Sequence, residues 1–291
     1  MIEVTQCPFC SSIERTEIQA QNDTDKYLDL INTQLQNKEI RKGGGARFWY
    51  KCDNCEILYR SPKLNQKEQE VLYEKYRDIL FRSETPDEYF DRITQYSDNQ
   101  SENFHKITWF LDNLNTTFIN KSLQVLDVGC GGGVLLRKMK DMLPKSITYG
   151  VEVNKLYSNL ARKRSGAIEI KTSYFHKKLF KQKFDIIVSC DVLEHVDCPS
   201  LFLDDIYFSL EKEGILFLEI PSPTNFEKLQ YDHDIFRVPH HVFYTDYILR
   251  KYLKNSGFDN IKIENVKNCS NIWKLRAIAN KAKKTAVKNI I

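Results

Sequence analysis

Apolar and polar positions follow two different periods in the second half of the chain. Short apolar runs, which are typical of buried strands, occupy residues 124–128, 147–152, 167–171, 184–189 and 214–220. Apolar residues at helical spacing predict helices over 133–142, 155–165, 199–211 and 245–256. Strands that alternate with helices in this way build a parallel sheet covered by helices on both faces. The pattern therefore predicts an α/β domain.

Two Cys-x-x-Cys pairs precede this domain. Cys7 and Cys10 form the first pair, and Cys52 and Cys55 form the second. Each such turn points two thiolates at one ion, and two turns complete a tetrahedral structural zinc site. We therefore predict that these four thiols hold Zn²⁺, with free or redox-active thiols as the alternative. The insertion between the pairs is predicted to contain a helix over residues 27–35 and a turn at Gly43–Gly45.

The same pattern divides the chain into four segments. They are a zinc ribbon at 1–61, a tyrosine-rich helical connector or lid at 62–120, the α/β domain at 121–266 and a basic C-terminal tail at 267–291. The tail holds basic residues and no acidic one, and we predict a docked terminal helix there, with contact to an anionic lipid or a partner as the alternative.

Composition and charge limit the classes of function. No run approaches the ~20 apolar residues of a membrane span, and the first ten residues lack a secretion pattern, so we expect a cytoplasmic protein. The formal net charge is +4, and the basic tail more than accounts for it. Because the rest of the chain is net acidic, no nucleic-acid partner is expected.

A glycine-rich loop, "VLDVGCGGG", follows the first strand of the α/β domain. Its spacing is D-x-G-x-G-x-G, beginning at Asp127, and Val134 stands where a dinucleotide fingerprint would need its third glycine. An acid at this place can hold a ligand ammonium group but would repel a pyrophosphate. Glu152, at the end of the second strand, can accept hydrogen bonds from ribose hydroxyls. The two signals together predict a nucleoside ligand that carries an ammonium group.

Five segments in order resemble the motifs of class I S-adenosylmethionine-dependent methyltransferases: "VLDVGCGGGVLL", "YGVEVN", "FDIIVSCDVLEHV", "GILFLEIPSP" and "HHVFYTDYILRKYLKNSGF". The resemblance implies a Rossmann-like sheet with S-adenosyl-L-methionine as cofactor. It implies that the cofactor is bound by Asp127, Gly129, Cys130 and Gly131 at the methionine part, Glu152 and Val153 at the ribose, and Cys190 and Asp191 near the adenine and methyl group. Thr172-Ser173 stands where this family often has an acid near the adenine.

The N-terminal part, "CPFC…CDNCEILYRSPKLNQKEQEVLYEKY", resembles the zinc-ribbon start of bacterial methyltransferases that act on sugars and on capsule or O-antigen components. This resemblance implies a small-molecule acceptor: a sugar, a nucleotide-linked sugar or a related phosphorylated metabolite in surface-glycan biosynthesis. Sugar C-methyltransferases of this kind carry Tyr-x-Glu-His, whereas this chain reads "VPHH", with His240 in place of the glutamate. O-methylation is therefore expected, with C-methylation as the alternative.

His195 and His241 are the candidate general bases, because neutral imidazole can accept a proton from an acceptor hydroxyl. An alternative for Asp191, Glu194 and His195 is a divalent cation site, as similar quinone O-methyltransferases suggest. A polar cluster before His241 contains Asp232, His233, Asp234 and Arg237, of which the arginine could hold a substrate phosphate. Two other classes remain as alternatives: a zinc-ribbon RNA methyltransferase and a noncatalytic module that only binds the cofactor.

Overall fold

The computed structural model describes residues 1–21, 26–35, 47–76, 83–114, 121–226 and 239–282. The predicted turn at Gly43–Gly45 and the cluster Asp232, His233, Asp234 and Arg237 lie outside the described residues. The helices are α1 (Lys26–Leu35), α2 (Gln66–Lys75), α3 (Pro86–Thr94), α4 (Glu102–Asp112), α5 (Val134–Met142), α6 (Lys155–Arg164), α7 (Pro199–Ser209) and α8 (Asp246–Asn255). The strands are β1 (Arg15–Gln21), β2 (Arg47–Cys52), β3 (Leu58–Ser61), β4 (Gln124–Val128), β5 (Ile147–Glu152), β6 (Glu169–Thr172), β7 (Phe184–Cys190), β8 (Leu210–Pro221), β9 (Val242–Phe243), β10 (Phe258–Lys267) and β11 (Trp273–Lys281).

The central sheet has the order β10-β11-β8-β7-β4-β5-β6 within the described residues. Strands β4 to β8 are parallel to one another, whereas β11 pairs antiparallel with both β8 and β10. The strand order reverses beside β4, which places the glycine loop at the crevice where ligands bind in open α/β sheets. The predicted α/β fold with a Rossmann-like sheet is confirmed.

Helices cover both faces of this sheet because successive strand residues point to opposite sides. On one face, Ile107 and Phe110 of α4 pack with Phe217 of β8. On the other face, Leu203 of α7 and Leu249 of α8 lie in the larger apolar cluster of the core. Strands β4, β5, β7 and β8 are therefore buried on both faces over most of their length, as their continuous apolar runs predicted.

A second sheet in the described part of the chain has the order β1-β2-β3-β9, and Cys52 is the last residue of its strand β2. Its edge strand β9 comes from the α/β segment, and Tyr59 of β3 pairs with Val242 of β9. The ring of Trp49 stacks on Phe243 with 4.7 Å between centroids. We call residues 1–61 the cysteine module, and it is joined to the α/β domain by backbone pairing as well as by side-chain packing.

The predicted terminal helix is wrong for residues 273–281, which form β11, an interior strand of the main sheet next to the edge strand β10. All residues from 275 to 279 are buried, as expected of an interior strand that is covered on both faces. The many alanines and lysines suggested a helix, but pairing with β8 and β10 overrides that weak propensity. The predicted boundary at residue 266 falls inside β10, and the four-segment division stays a prediction.

Membrane-spanning helices are absent from the described residues, because none of their helices combines sufficient length with sufficient hydropathy. The cytoplasmic location stays a prediction.

Candidate active site

The loop that follows β4 needs glycine at two positions, because of its backbone conformation and because neighbouring side chains are close. Gly129 has φ +85°, and a Cβ there would lie 2.4 Å from Cγ2 of Val192. Gly133 has φ +80°, and a Cβ there would lie 2.6 Å from Cβ of Ser165. Side chains are therefore excluded at both positions, and the loop backbone stays accessible at the carboxyl end of β4.

Glu152 fixes this loop to the end of β5. Its Oε2 accepts a hydrogen bond from the Gly131 amide at 2.9 Å, and its Oε1 accepts one from the Asn154 amide at 2.7 Å. The residue is buried. Because each carboxylate oxygen has more than one lone pair, this oriented carboxylate can still accept the two hydroxyls of a ribose.

Asp127 is a buried acid beside the loop, with 2% of its surface exposed. Burial raises the pKa of Asp127 to about 7. The nearby Lys106 ammonium lowers this pKa, whereas the Glu152 carboxylate raises it further. A buried carboxyl group of this kind fits the ammonium group of a ligand, which would stabilise its ionised form.

A buried ion network lies next to Asp127. Lys106 Nζ is 2.8 Å from Glu219 Oε1, and Arg276 Nε donates to Glu219 Oε2 at 2.7 Å. Lys274 Nζ donates to Asp191 Oδ1 at 2.5 Å, and Lys106 also lies 3.7 Å from that carboxylate. Burial opposes ionisation of Asp191, but Lys274 and Lys106 outweigh it and hold the pKa of Asp191 below its usual range.

Lys106 was missed in the sequence, although one signal was available. Lys106 lies one helical turn before Phe110, on the buried side of α4. A lysine on a buried helix face needs a charged partner, so the sequence pattern indicated a buried ion pair. Asp191 directly follows β7 and has φ 55°, in the left-handed region, so the backbone leaves the extended strand conformation at this residue.

His195 follows the carboxyl end of β7, in a single 3₁₀ turn at Leu193–His195. Its Nδ1 is 2.7 Å from the carbonyl oxygen of Pro239. Because a carbonyl only accepts, Nδ1 must donate, and Nε2 is then the acceptor nitrogen of the neutral ring. The ring also packs on His240, with 4.9 Å between centroids.

His241 is enclosed, with 2% of its surface exposed. Burial lowers its pKa to about 3, so the ring is neutral at pH 7, and its Nδ1 lies 3.6 Å from Asp197. Neither ring nitrogen has a hydrogen-bond partner among the described residues. This geometry favours His195 over His241 as the residue that meets an acceptor, and both catalytic roles stay predictions.

The remaining predicted contacts divide into core and surface positions. The Cys130 thiol is buried in the core beside Gly150, so only its backbone can face a ligand. Val153 and Cys190 are partly exposed at the sheet edge. Thr172 Oγ1 contacts Ser158 and Arg162, at 2.7 and 2.5 Å.

The structure does not bring Asp191, Glu194 and His195 together as the cation site that the sequence suggested as an alternative. Asp191 turns to Lys274, whereas one ligand atom from each of Glu194, His195 and His240 lies within 4.8 Å of the others. Glu194 is fully buried, and neither carboxylate oxygen has a hydrogen-bond partner among the described residues. A cation at this place would therefore use His240 instead of Asp191.

The cysteine module brings its four thiols together. The Sγ atoms of Cys7 and Cys55 are 3.5 Å apart, as are those of Cys10 and Cys52, and all four lie within 4.8 Å of one another. A tetrahedral Zn²⁺ with bonds of ~2.3 Å needs sulfur separations of about 3.8 Å. The four thiols thus fit a structural zinc ion, which they would bind as thiolates.

The strand order, the glycine loop and the oriented acid after β5 define an α/β domain of the methyltransferase class. A family model described as a methyltransferase domain matches residues 81–263, and the chain belongs to this family.

Curated relatives match a shorter part. The mitochondrial ubiquinone biosynthesis O-methyltransferase of Candida albicans is 35% identical over 106 residues, which are 34% of this chain and 32% of that protein. Ubiquinone biosynthesis O-methyltransferase of Pelagibacter ubique is 31% identical over 108 residues, 36% of this chain and 44% of that protein. The chain thus spans less than half the length of these relatives. Their names concern ubiquinone, so the narrower resemblance to sugar methyltransferases gains no support from them.

Solved structures share the fold at low identity. Magnesium protoporphyrin IX methyltransferase from Synechocystis PCC 6803, solved with bound SAH, has a TM-score of 0.54 and 14% identity, covering 74% of this chain and 100% of that chain. A possible histamine N-methyltransferase from Thermotoga maritima has a TM-score of 0.51 and 16% identity, covering 72% of this chain and 99% of that chain.

Proposed function

We propose that this protein is an S-adenosylmethionine-dependent methyltransferase that methylates a hydroxyl oxygen of a small molecule. The observation that carries the proposal is the pair of buried acids, Asp127 and Glu152, on either side of the glycine loop. One acid suits a ligand ammonium group and the other suits ribose hydroxyls, so the pair matches two polar groups of the cofactor.

Each residue of the cofactor site has a distinct role in this proposal. Asp127 holds the amino group of the methionine part, and the nearby Lys106 ammonium favours the ionised form of Asp127. Glu152 and the adjoining Val153 border the ribose. The backbone at Gly129 and Gly131 allows close approach, with Cys130 between them. When bound, S-adenosylmethionine supplies an electrophilic methyl group on a sulfonium centre.

On the acceptor side, His195 is the proposed base. Its Nδ1 is oriented by the Pro239 carbonyl, so Nε2 is the atom that accepts the proton of the attacking hydroxyl. In this proposal Cys190 and Asp191 lie near the adenine and the methyl group, as the resemblance implies. The other contribution of the protein is alignment, because a methyl transfer requires the oxygen to approach in line with the leaving sulfur.

The acceptor itself has two candidates. The resemblance of the cysteine module favours a sugar, a nucleotide-linked sugar or a related phosphorylated molecule. The names of the curated relatives, which are ubiquinone biosynthesis O-methyltransferases, favour an oxygen of a molecule in that biosynthesis instead. The RNA alternative has less support, because the charge outside the tail is net acidic.

Product analysis tests the proposal. The protein is incubated with S-adenosylmethionine and, in separate reactions, catechol and a nucleotide-linked hexose, and the position of any new methyl group is determined. His195→Gln should lower turnover at least about 100-fold, a typical general-base contribution. His176→Gln on the exposed β6–β7 loop is the control. A methyl group on carbon, or full turnover by His195→Gln, would contradict the oxygen mechanism or the proposed base, respectively.

A further inference from the structure

Asn154 occupies a joint between three parts of the molecule and is 2% exposed. Its amide donates to Glu152 Oε1, and its Oδ1 accepts from the Tyr157 amide at 3.0 Å, which caps helix α6. Its Nδ2 donates in the opposite direction, to the carbonyl oxygens of Tyr73 at 2.8 Å and Glu74 at 3.1 Å. Asn154 therefore connects the acid of the proposed ribose site, through its backbone N–H, to the last turn of α2, through its side-chain Nδ2.

Helix α2 reaches from this joint to the acceptor side. The Tyr73 ring meets the His195 ring edge to face, with 6.2 Å between centroids and 84° between planes. Elsewhere on α2, Gln69 Nε2 donates to Asp197 Oδ2 at 2.8 Å, and Asp197 is only two residues beyond His195. The helix thus contacts both the end of β5 and the turn that carries the proposed base.

We propose that Asn154 is a positioning residue that couples cofactor binding to the placement of Tyr73 against His195. The inference rests on the proposed function and deepens it, because helix α2 becomes part of the acceptor site. This helix follows the cysteine module in the chain. A ligand bound to Glu152 restrains the Glu152–Asn154 segment. The two carbonyl bonds of Asn154 transmit that restraint to α2, whose local opening then becomes rarer.

The chain offers a matched substitution. Asn154→Ser keeps a good N-cap for α6 and introduces no charge, but it removes the Nδ2 donor to α2. Asn65→Ala is the control, because Asn65 caps the other end of α2 and takes no part in the joint. It loosens α2 in a purely structural way.

Hydrogen exchange of the full chain, with and without S-adenosylhomocysteine, tests the coupling. In the natural protein the ligand should slow exchange of the α2 amides about tenfold. Asn65→Ala should exchange faster overall but retain this ligand effect. Asn154→Ser should bind the ligand within about threefold of the natural affinity and lose the slowing in α2. Equal slowing in Asn154→Ser, or no effect on α2 in a natural protein that binds the ligand, would overturn the inference. Absence of binding to the natural protein would instead count against the proposed function.

Discussion

Lys106 and Glu219 form a buried ion pair that joins helix α4 to strand β8, with 2.8 Å between Nζ and Oε1. Their side chains are 8% and 0% exposed. Arg276 binds the second oxygen of the same carboxylate, so both oxygens of Glu219 meet a cation. Removing one partner of such a group leaves a charge in the core without full compensation.

Lys106→Met should therefore destabilise the protein by about 3–5 kcal/mol in urea unfolding. It should also weaken binding of S-adenosylhomocysteine, because Lys106 lies near Asp127 in the proposed methionine site. Lys138→Met is the control: Lys138 pairs with the exposed Asp98, and a loss of at most about 1 kcal/mol is expected. Equal unfolding midpoints for both variants would contradict a structural role for the buried pair.

Binding of S-adenosylhomocysteine should strengthen as pH rises from 6 to 8. The pKa of Asp127 is raised to about 7, so its carboxyl group ionises within this range and then attracts the ligand ammonium group. We expect a gain of about three- to tenfold by calorimetry in the natural protein. Asp127→Asn should bind more weakly with a flat pH profile, whereas a pH-dependent gain in that variant would assign the titration to another group.

Glu152→Ala should abolish most cofactor affinity. The change removes the acceptor for the ribose and also leaves the amides of Gly131 and Asn154 without the carboxylate that now binds them. Each lost hydrogen bond costs about 1–3 kcal/mol. Calorimetry with S-adenosylhomocysteine measures the effect. Glu169→Ala, a partly exposed acid on the neighbouring strand β6, should bind normally; comparable losses in both variants would point to general destabilisation.

One zinc ion per chain should be found by elemental analysis of the purified protein. Cys52→Ser should lose the metal and unfold at a lower temperature, because Cys7 and Cys52 lie in the same apolar cluster as Tyr252 of α8. Cys198→Ser, which alters an exposed thiol, is the control and should retain both the metal and the melting temperature. Natural metal content in Cys52→Ser would refute the four-thiolate site.

The regular part of the fold followed from the sequence because its strands and helices have strong periodicity. The predicted strand at 147–152 and helix at 155–165 correspond to β5 and α6 almost residue for residue. Strand β11 did not follow, because alanine and lysine carry little strand preference and its pairing partners are distant in sequence.

The candidate site was predictable where the motif is local and not where it is assembled from distant segments. Asp127 and Glu152 were each predicted from a single short motif at the end of a strand. Lys106 and Tyr73 reach the same edge from helices that precede the sheet, and no short motif marks them. His241 shows the opposite case: the sequence suggested an active residue, and tertiary packing encloses it.

The two-residue strand β9 makes the cysteine module hard to exchange. Val242 and Phe243 complete the edge of the module's sheet, and they directly follow the His240-His241 pair beside the proposed base. Grafting a foreign module, or expressing the α/β segment alone, would expose the backbone edge of β9 to self-association. It would also remove the strand pairing that directly follows His240 and His241. Chimeras should therefore keep the cysteine module and residues 239–243 from the same protein, because the two segments are expected to fold correctly only together.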